Sequence, residues 1–111
     1  MKTLMILGIE YFDKVNGNSY HTSEVFFDNV NFKSGIEYGY GDQYIDTAIR
    51  LLQNNDYFKD MITYENGIQE PLYKYCGRNN IKLFSRKIRV SAKKQLTNKG
   101  VWSIWFKPEF C

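Results

Sequence analysis

The sequence predicts a small α+β domain: an antiparallel sheet in β-β-β-α-β-β order with one main helix packed on one face. Three observations predict it. Asn16-Gly17 separates two runs rich in Leu, Ile, Val and aromatic residues. Ile45, Ala48, Ile49 and Leu52 fall at i, i+3, i+4 and i+7, the spacing of a buried helical stripe. Strand character returns in Ile81–Val90 and again in 101–107.

The first strand covers about 1–15, and 18–27 is its return. Asn-Gly is a strong hairpin signal, because a type I′ turn needs φ > 0 at both central residues. A two-residue loop at Asn16-Gly17 places Tyr11 opposite Thr22, Phe12 opposite His21 and Asp13 opposite Tyr20. One face then carries Leu7, Ile9, Tyr11, Tyr20 and Phe26, and the other Ile6, Phe12, Val25 and Phe27. Apolar residues on both faces imply that the hairpin is covered on both sides, or covered on one and used on the other. Asp28-Asn29 turns the chain into a short third strand within 31–38, interrupted by Gly35.

The helix spans about Gln43–Asn54, with Asp42 as its N-cap and Asp46 paired to Arg50 on its outer face. Residues 56–80 hold several turn signals and a short helix near 71–76. A strand over 81–90, extending towards Leu96, turns at Asn98-Lys99-Gly100 into the last strand, with Trp102, Ile104 and Phe106 inward and Trp105 on the non-core face.

The chain has 111 residues, which suits a single domain over 1–111. Hydrophobic residues make up 43% and charged ones 24%, a balance that excludes disorder. Aromatics reach 17%, and nine residues are Tyr, whose ring packs while its hydroxyl stays wet. No run approaches the roughly 18 apolar residues of a membrane span. Residues 1–9 read as a strand and not a signal peptide. Cys76 reads as a packing residue and Cys111 as an exposed thiol, with no pair spaced for a metal. The net charge of +3 conceals a split: residues 1–70 carry 5 basic and 11 acidic side chains, and 71–111 carry 10 and 1. Such a split predicts one acidic and one basic face.

No set of residues forms a recognisable catalytic or metal-binding kit, so neither cofactor nor metal is expected and the reading is a binding protein. His21 is the one histidine, a half-exposed strand residue or an acid–base group beside Asp13 or Asp42. Gly39 and Gly41 resemble phosphate-cradling loops at a helix start, but Asp42 puts a negative charge where the phosphate would sit. Arg86, Lys87, Arg89, Lys93 and Lys94 crowd one hairpin with Lys82, Lys99 and Trp105. Such a surface suits nucleic acid, an acidic protein or the acidic half of a second copy.

Two segments, Tyr11-Phe12-Asp13-Lys14-Val15-Asn16-Gly17-Asn18-Ser19-Tyr20-His21 and Tyr38-Gly39-Tyr40-Gly41-Asp42-Gln43-Tyr44, resemble a family of small bacteriophage and prophage proteins. That family pairs an F-D-x-x-N-G-N-x-Y-H hairpin with a Y-G-Y-G-D-Q-Y helix start. The likeness covers roughly residues 11–53. It implies a phage origin, a bacterial cytoplasm and an accessory role, with no cofactor and no catalytic residue. Asn16, Asn18, His21, Tyr38, Tyr40, Asp42 and Gln43 either bind one small polar ligand or interlock as a network. The functional expectation is an accessory protein that binds and inhibits a host macromolecule, such as a defence or nucleic-acid-processing complex. The alternatives are direct nucleic-acid binding by the basic 82–99 segment and nucleotide capture at the 38–44 turn.

Overall fold

A computed structural model describes residues 2–93 and Leu96. The elements run β1 (Lys2–Asp13), β2 (Asn18–Phe27), β3 (Val30–Lys33), β4 (Glu37–Tyr38), α1 (Gln43–Asn54), α2 (Leu72–Arg78) and β5 (Ile81–Val90). The sheet is mixed, not antiparallel throughout. Its order is β3-β2-β1-β5, with β4 also on β2 and β5 parallel to β1. The reason lies in the connection. Between β4 and β5 the chain crosses one face of the sheet through α1 and α2, and a crossover of that length returns a strand parallel to its neighbour. The expected final strand at 101–107, with Lys94, Lys99 and Trp105, lies outside the described residues.

β1 therefore has a partner on each edge, and Leu4, Ile6, Leu7 and Ile9 are all buried. Strands enclosed in this way read as continuous apolar runs. On the helix side, Leu4, Ile6, Val25 and Phe27 pack with Ala48, Ile49 and Leu52 of α1 and with Leu72 and Tyr75 of α2. On the other side, Leu7, Ile9 and Leu96 form a second cluster against Tyr11, Tyr20, Phe26, Ile88 and Val90. The two faces divide as the alternation predicts.

The hairpin register differs from the expected one. Tyr11 stands opposite Tyr20 and Asp13 opposite Asn18, so the loop holds four residues and not two. Asp13 is the cause. Its carboxylate accepts from the Val15 and Asn16 amides at 3.0 and 3.3 Å and from the Asn16 side chain at 2.9 Å. The Gly17 amide closes the loop on the Asp13 carbonyl at 2.8 Å, with Gly17 at φ +70°. A side chain that binds the turn's own amides outcompetes the two-residue form. Because the register moves by two residues, every side chain keeps its face.

Helix α1 has the predicted bounds but not the predicted cap. Asp42 sits at φ −89°, ψ 10°, and its side chain makes no capping bond. An N-cap side chain reaches the first-turn amides from an extended backbone, which Asp42 lacks. Arg50 pairs with Glu37 at 2.7 Å and not with Asp46. The helix lies close on β1 at Gly8, where a Cβ would come within 2.6 Å of the Tyr44 ring. Ser23 Oγ fixes the contact by donating to the Tyr44 carbonyl at 2.7 Å.

The stretch least legible in sequence is organised by aromatic packing and one ion pair. Phe58 packs between Phe27 and Tyr75, with ring centroids 5.1 and 4.7 Å away. The Tyr75 hydroxyl donates to Asp60 at 2.6 Å, and Arg78 pairs with the buried Glu70. Cys76 lies in the helix-side core, where loss of solvation pushes its thiol up to about 11.

Gly8→Ala is expected to destabilise the fold by about 1–3 kcal/mol, because the added methyl collides with the Tyr44 ring beneath a docked helix. Urea denaturation followed by circular dichroism measures it. A neutral effect would mean that α1 does not sit against β1 as described.

Candidate binding surface

The residues singled out in the two motifs lie at one end of the sheet, and Asn16, Asn18, His21 and Tyr38 make hydrogen bonds there. His21 is not half-exposed. It is 2% exposed and stands opposite Glu10 on the helix face, since the register differs from the expected one. Its Nδ1 donates to the Gly39 carbonyl at 3.2 Å, and its Nε2 accepts from the Thr47 hydroxyl at 2.7 Å. The carbonyl can only accept, which fixes the tautomer. Neither Asp13 nor Asp42 is a hydrogen-bond partner of this ring.

Asn18 accepts from the Tyr38 hydroxyl at 2.7 Å, and Asn16 donates to Asp13. Gly39 has φ +139°, and a Cβ there would overlap the Gln43 side-chain amide. Glycine is therefore required where the 38–42 segment turns into α1. Asn18 and His21 thus both bond to the 38–39 turn, Asn16 bonds within its own loop, and Gln43 lies against Gly39.

Glu10 is the residue that sequence reasoning missed. It is 4% exposed within β1 and collects three donors: the Gly41 amide at 3.1 Å, Lys87 Nζ at 3.2 Å and Arg89 Nε at 2.9 Å. Lys87 also donates to the Gly41 carbonyl at 3.1 Å. Burial by itself would raise this carboxyl, but Lys87, the Gly41 amide and Arg89 together hold it below the usual range. The glycine loop therefore binds an anion, and that anion is the protein's own carboxylate. An acid inside an apolar strand was the available signal. Its partners were not readable, because they arrive on a parallel strand far along the chain.

Among the described residues, the basic set does not form one stripe. Lys87 and Arg89 face the helix side and meet Glu10, whereas alternation puts Lys82 and Arg86 on the opposite face. Lys82 lies over Phe84 at 5.2 Å, and Lys93 over Tyr20 at 4.4 Å. Lys94 and Trp105 lie outside the described residues.

Beside these polar groups, three aromatic side chains are exposed at this end. Phe12, Tyr38 and Tyr40 are 51%, 68% and 71% exposed. With Gly17, Ser19 and Gly39 they line a shallow depression of about 280 Å³. Tyr38 is braced from behind by Tyr20, edge to face at 5.7 Å. Phe12 was not among the residues singled out from sequence. It emerges because β1 continues past the part of the sheet that the helices cover.

Among the described residues, no three His, Cys, Asp or Glu side chains gather as a metal-holding group. None of their helices is long and apolar enough to cross a membrane. Compared with protein-family models, curated proteins and solved structures, the chain matches none.

Two outcomes test this network. His21→Ala is expected to cost about 1–3 kcal/mol in stability, since it leaves the buried Thr47 hydroxyl and Gly39 carbonyl without a partner. Denaturant unfolding measures that loss. A carboxyl whose folded pKa is lowered contributes stability above its ordinary pKa and loses it as pH falls through the lowered value. Glu10→Gln should therefore be less stable than the parent at pH 7, with the gap closing as pH falls through and below the ordinary carboxylate range. Urea midpoints measured across that range would contradict the ion pair if the gap stayed constant.

Proposed function

We propose that this protein is a non-enzymatic binding module that docks on a host protein and modulates it through the aromatic end formed by Phe12, Tyr38 and Tyr40. The observation that carries the reading is the contrast across that end. Three exposed aromatics stand beside a buried His21 bonded to Gly39 and Thr47 and an Asn18 bonded to Tyr38. Aromatic side chains held rigid before binding lose little entropy on docking, and Tyr is enriched among residues that dominate interface energetics. The exposed Arg89 side chain and Lys93 add positive charge nearby, suited to an acidic rim on the partner. The resemblance of the two motifs to small bacteriophage proteins favours, as part of this proposal, a bacterial cytoplasm and inhibition of a host complex.

His21 is a poor proton shuttle in this arrangement, because both ring nitrogens are engaged and buried. Nucleotide capture at the 38–44 turn is the weaker reading, since Glu10 already holds the Gly41 amide and two cations. Direct nucleic-acid binding retains one specific support: Lys82 over Phe84 and Lys93 over Tyr20 set cations beside aromatic rings.

The test is capture of a bacterial host protein by the purified chain from nuclease-treated lysate at roughly 0.15 M salt. The paired variant Phe12→Ala/Tyr40→Ala should reduce the affinity for that protein by about tenfold or more, as loss of hot-spot aromatics does. Lys82→Ala should leave it nearly unchanged. The opposite pattern, with nuclease abolishing capture and duplex affinity falling steeply with salt, would replace the protein-directed reading with the nucleic-acid one.

A further inference from the structure

A second concavity lies apart from the aromatic end and shares none of its lining residues. It is a cleft of about 560 Å³ between α1 and the 68–73 segment. That size falls within the roughly 300–1,000 Å³ of small-molecule sites. Its walls are apolar: Ile45 and Ile49 from α1, Leu72 from α2 and Leu83 from β5. Tyr44 and Ser85 supply a polar spot.

The rim is acidic on one side. Asp42 and Asp46 both line the cleft, and a spacing of four residues puts them on one flank of the helix start. Asp42 makes no capping bond, and Arg50, the cation expected to pair with Asp46, is held by Glu37. Ile68 and Tyr73, 60% and 65% exposed, line the cleft from the other segment.

We propose that this cleft is a binding site for a small organic amine carrying an apolar body. The apolar walls favour a hydrocarbon or aromatic body over a hydrated metal ion, whose shell they cannot replace. The paired carboxylates favour a positive head and disfavour a negative one, so phosphates and carboxylic acids are selected against. An ammonium placed at Asp42 and Asp46 lies at the edge of an apolar wall, where its attraction is screened less than in open water. This inference does not rest on the aromatic end, and either can fail without the other.

The test uses tryptamine, its neutral analogue 3-ethylindole and its acidic analogue indole-3-propionate, titrated into the full chain and followed by methyl NMR. Tryptamine should saturate with a dissociation constant below about 1 mM and shift the methyls of Ile45, Ile49, Leu72 and Leu83. Indole-3-propionate should bind at least about tenfold more weakly, as like charges at short range require. Asp42→Asn/Asp46→Asn should weaken tryptamine by about tenfold and leave 3-ethylindole unchanged. Both positions are exposed, and circular dichroism checks the fold; single Asp46→Asn serves if the pair does not fold. Equal binding of the amine and the acid, an unaltered amine affinity in the variant, or no saturable shift up to about 10 mM would overturn the proposal. A capped Leu-Lys-Leu peptide that binds about tenfold more tightly than tryptamine would also overturn it, in favour of a protein partner's lysine.

Discussion

A carboxylate buried inside a central strand needs positive charge and hydrogen-bond donors, and much of this architecture supplies them to Glu10. An isolated buried charge is strongly unfavourable, whereas a fully bonded one is tolerated and favours one arrangement over its neighbours. Glu10 draws Arg89 from the register position beside it on β5, Lys87 from two residues earlier, and the Gly41 amide from the turn before α1. One side chain thus ties the first strand, β5 beside it and the start of the main helix. A slip of β5 by one residue would turn both cations to the wrong face.

The same interaction changes how the charge segregation reads. An acidic first part and a basic last part suggest two opposed faces. In the fold, β1 and β5 lie side by side, so part of the basic segment is neutralised by the acidic one. Arg78 and Glu70 join the two parts in the same way beside α2. The cations left for a partner are fewer than the count implies, and alternation along β5 divides them between two faces. Among the described residues, β5 therefore carries no continuous basic stripe on one face.

Rigidity is what the motif residues contribute. His21 joins β2 to α1 through Thr47 and to the glycine turn through the Gly39 carbonyl, and Asn18 holds Tyr38 by its hydroxyl. Polar residues that a simple hairpin and helix would not need are explained by these bonds. Their effect is to tie the turn before α1, and the Tyr38 hydroxyl within it, to β2 and to α1.

The sequence by itself determined what local physics controls. Helical spacing placed α1, alternation sorted both faces of the β1–β2 hairpin, and apolar residues on each face left two outcomes, cover on both sides or cover on one and use of the other. It also gathered the motif residues as one group, as a network or a site. What it left undecided depends on contacts between distant segments or on competition at a turn. Asn16-Gly17 signalled a two-residue loop, but the Asp13 carboxylate took the turn amides and lengthened it. The parallel seat of β5 follows from a crossover whose length is visible but whose landing edge is not. The roles of Glu10 and Lys87, and the exposure of Phe12, exist only once that edge is chosen. Tertiary structure decided these points because a charge's partner, unlike a strand's alternation, need not lie nearby in the chain.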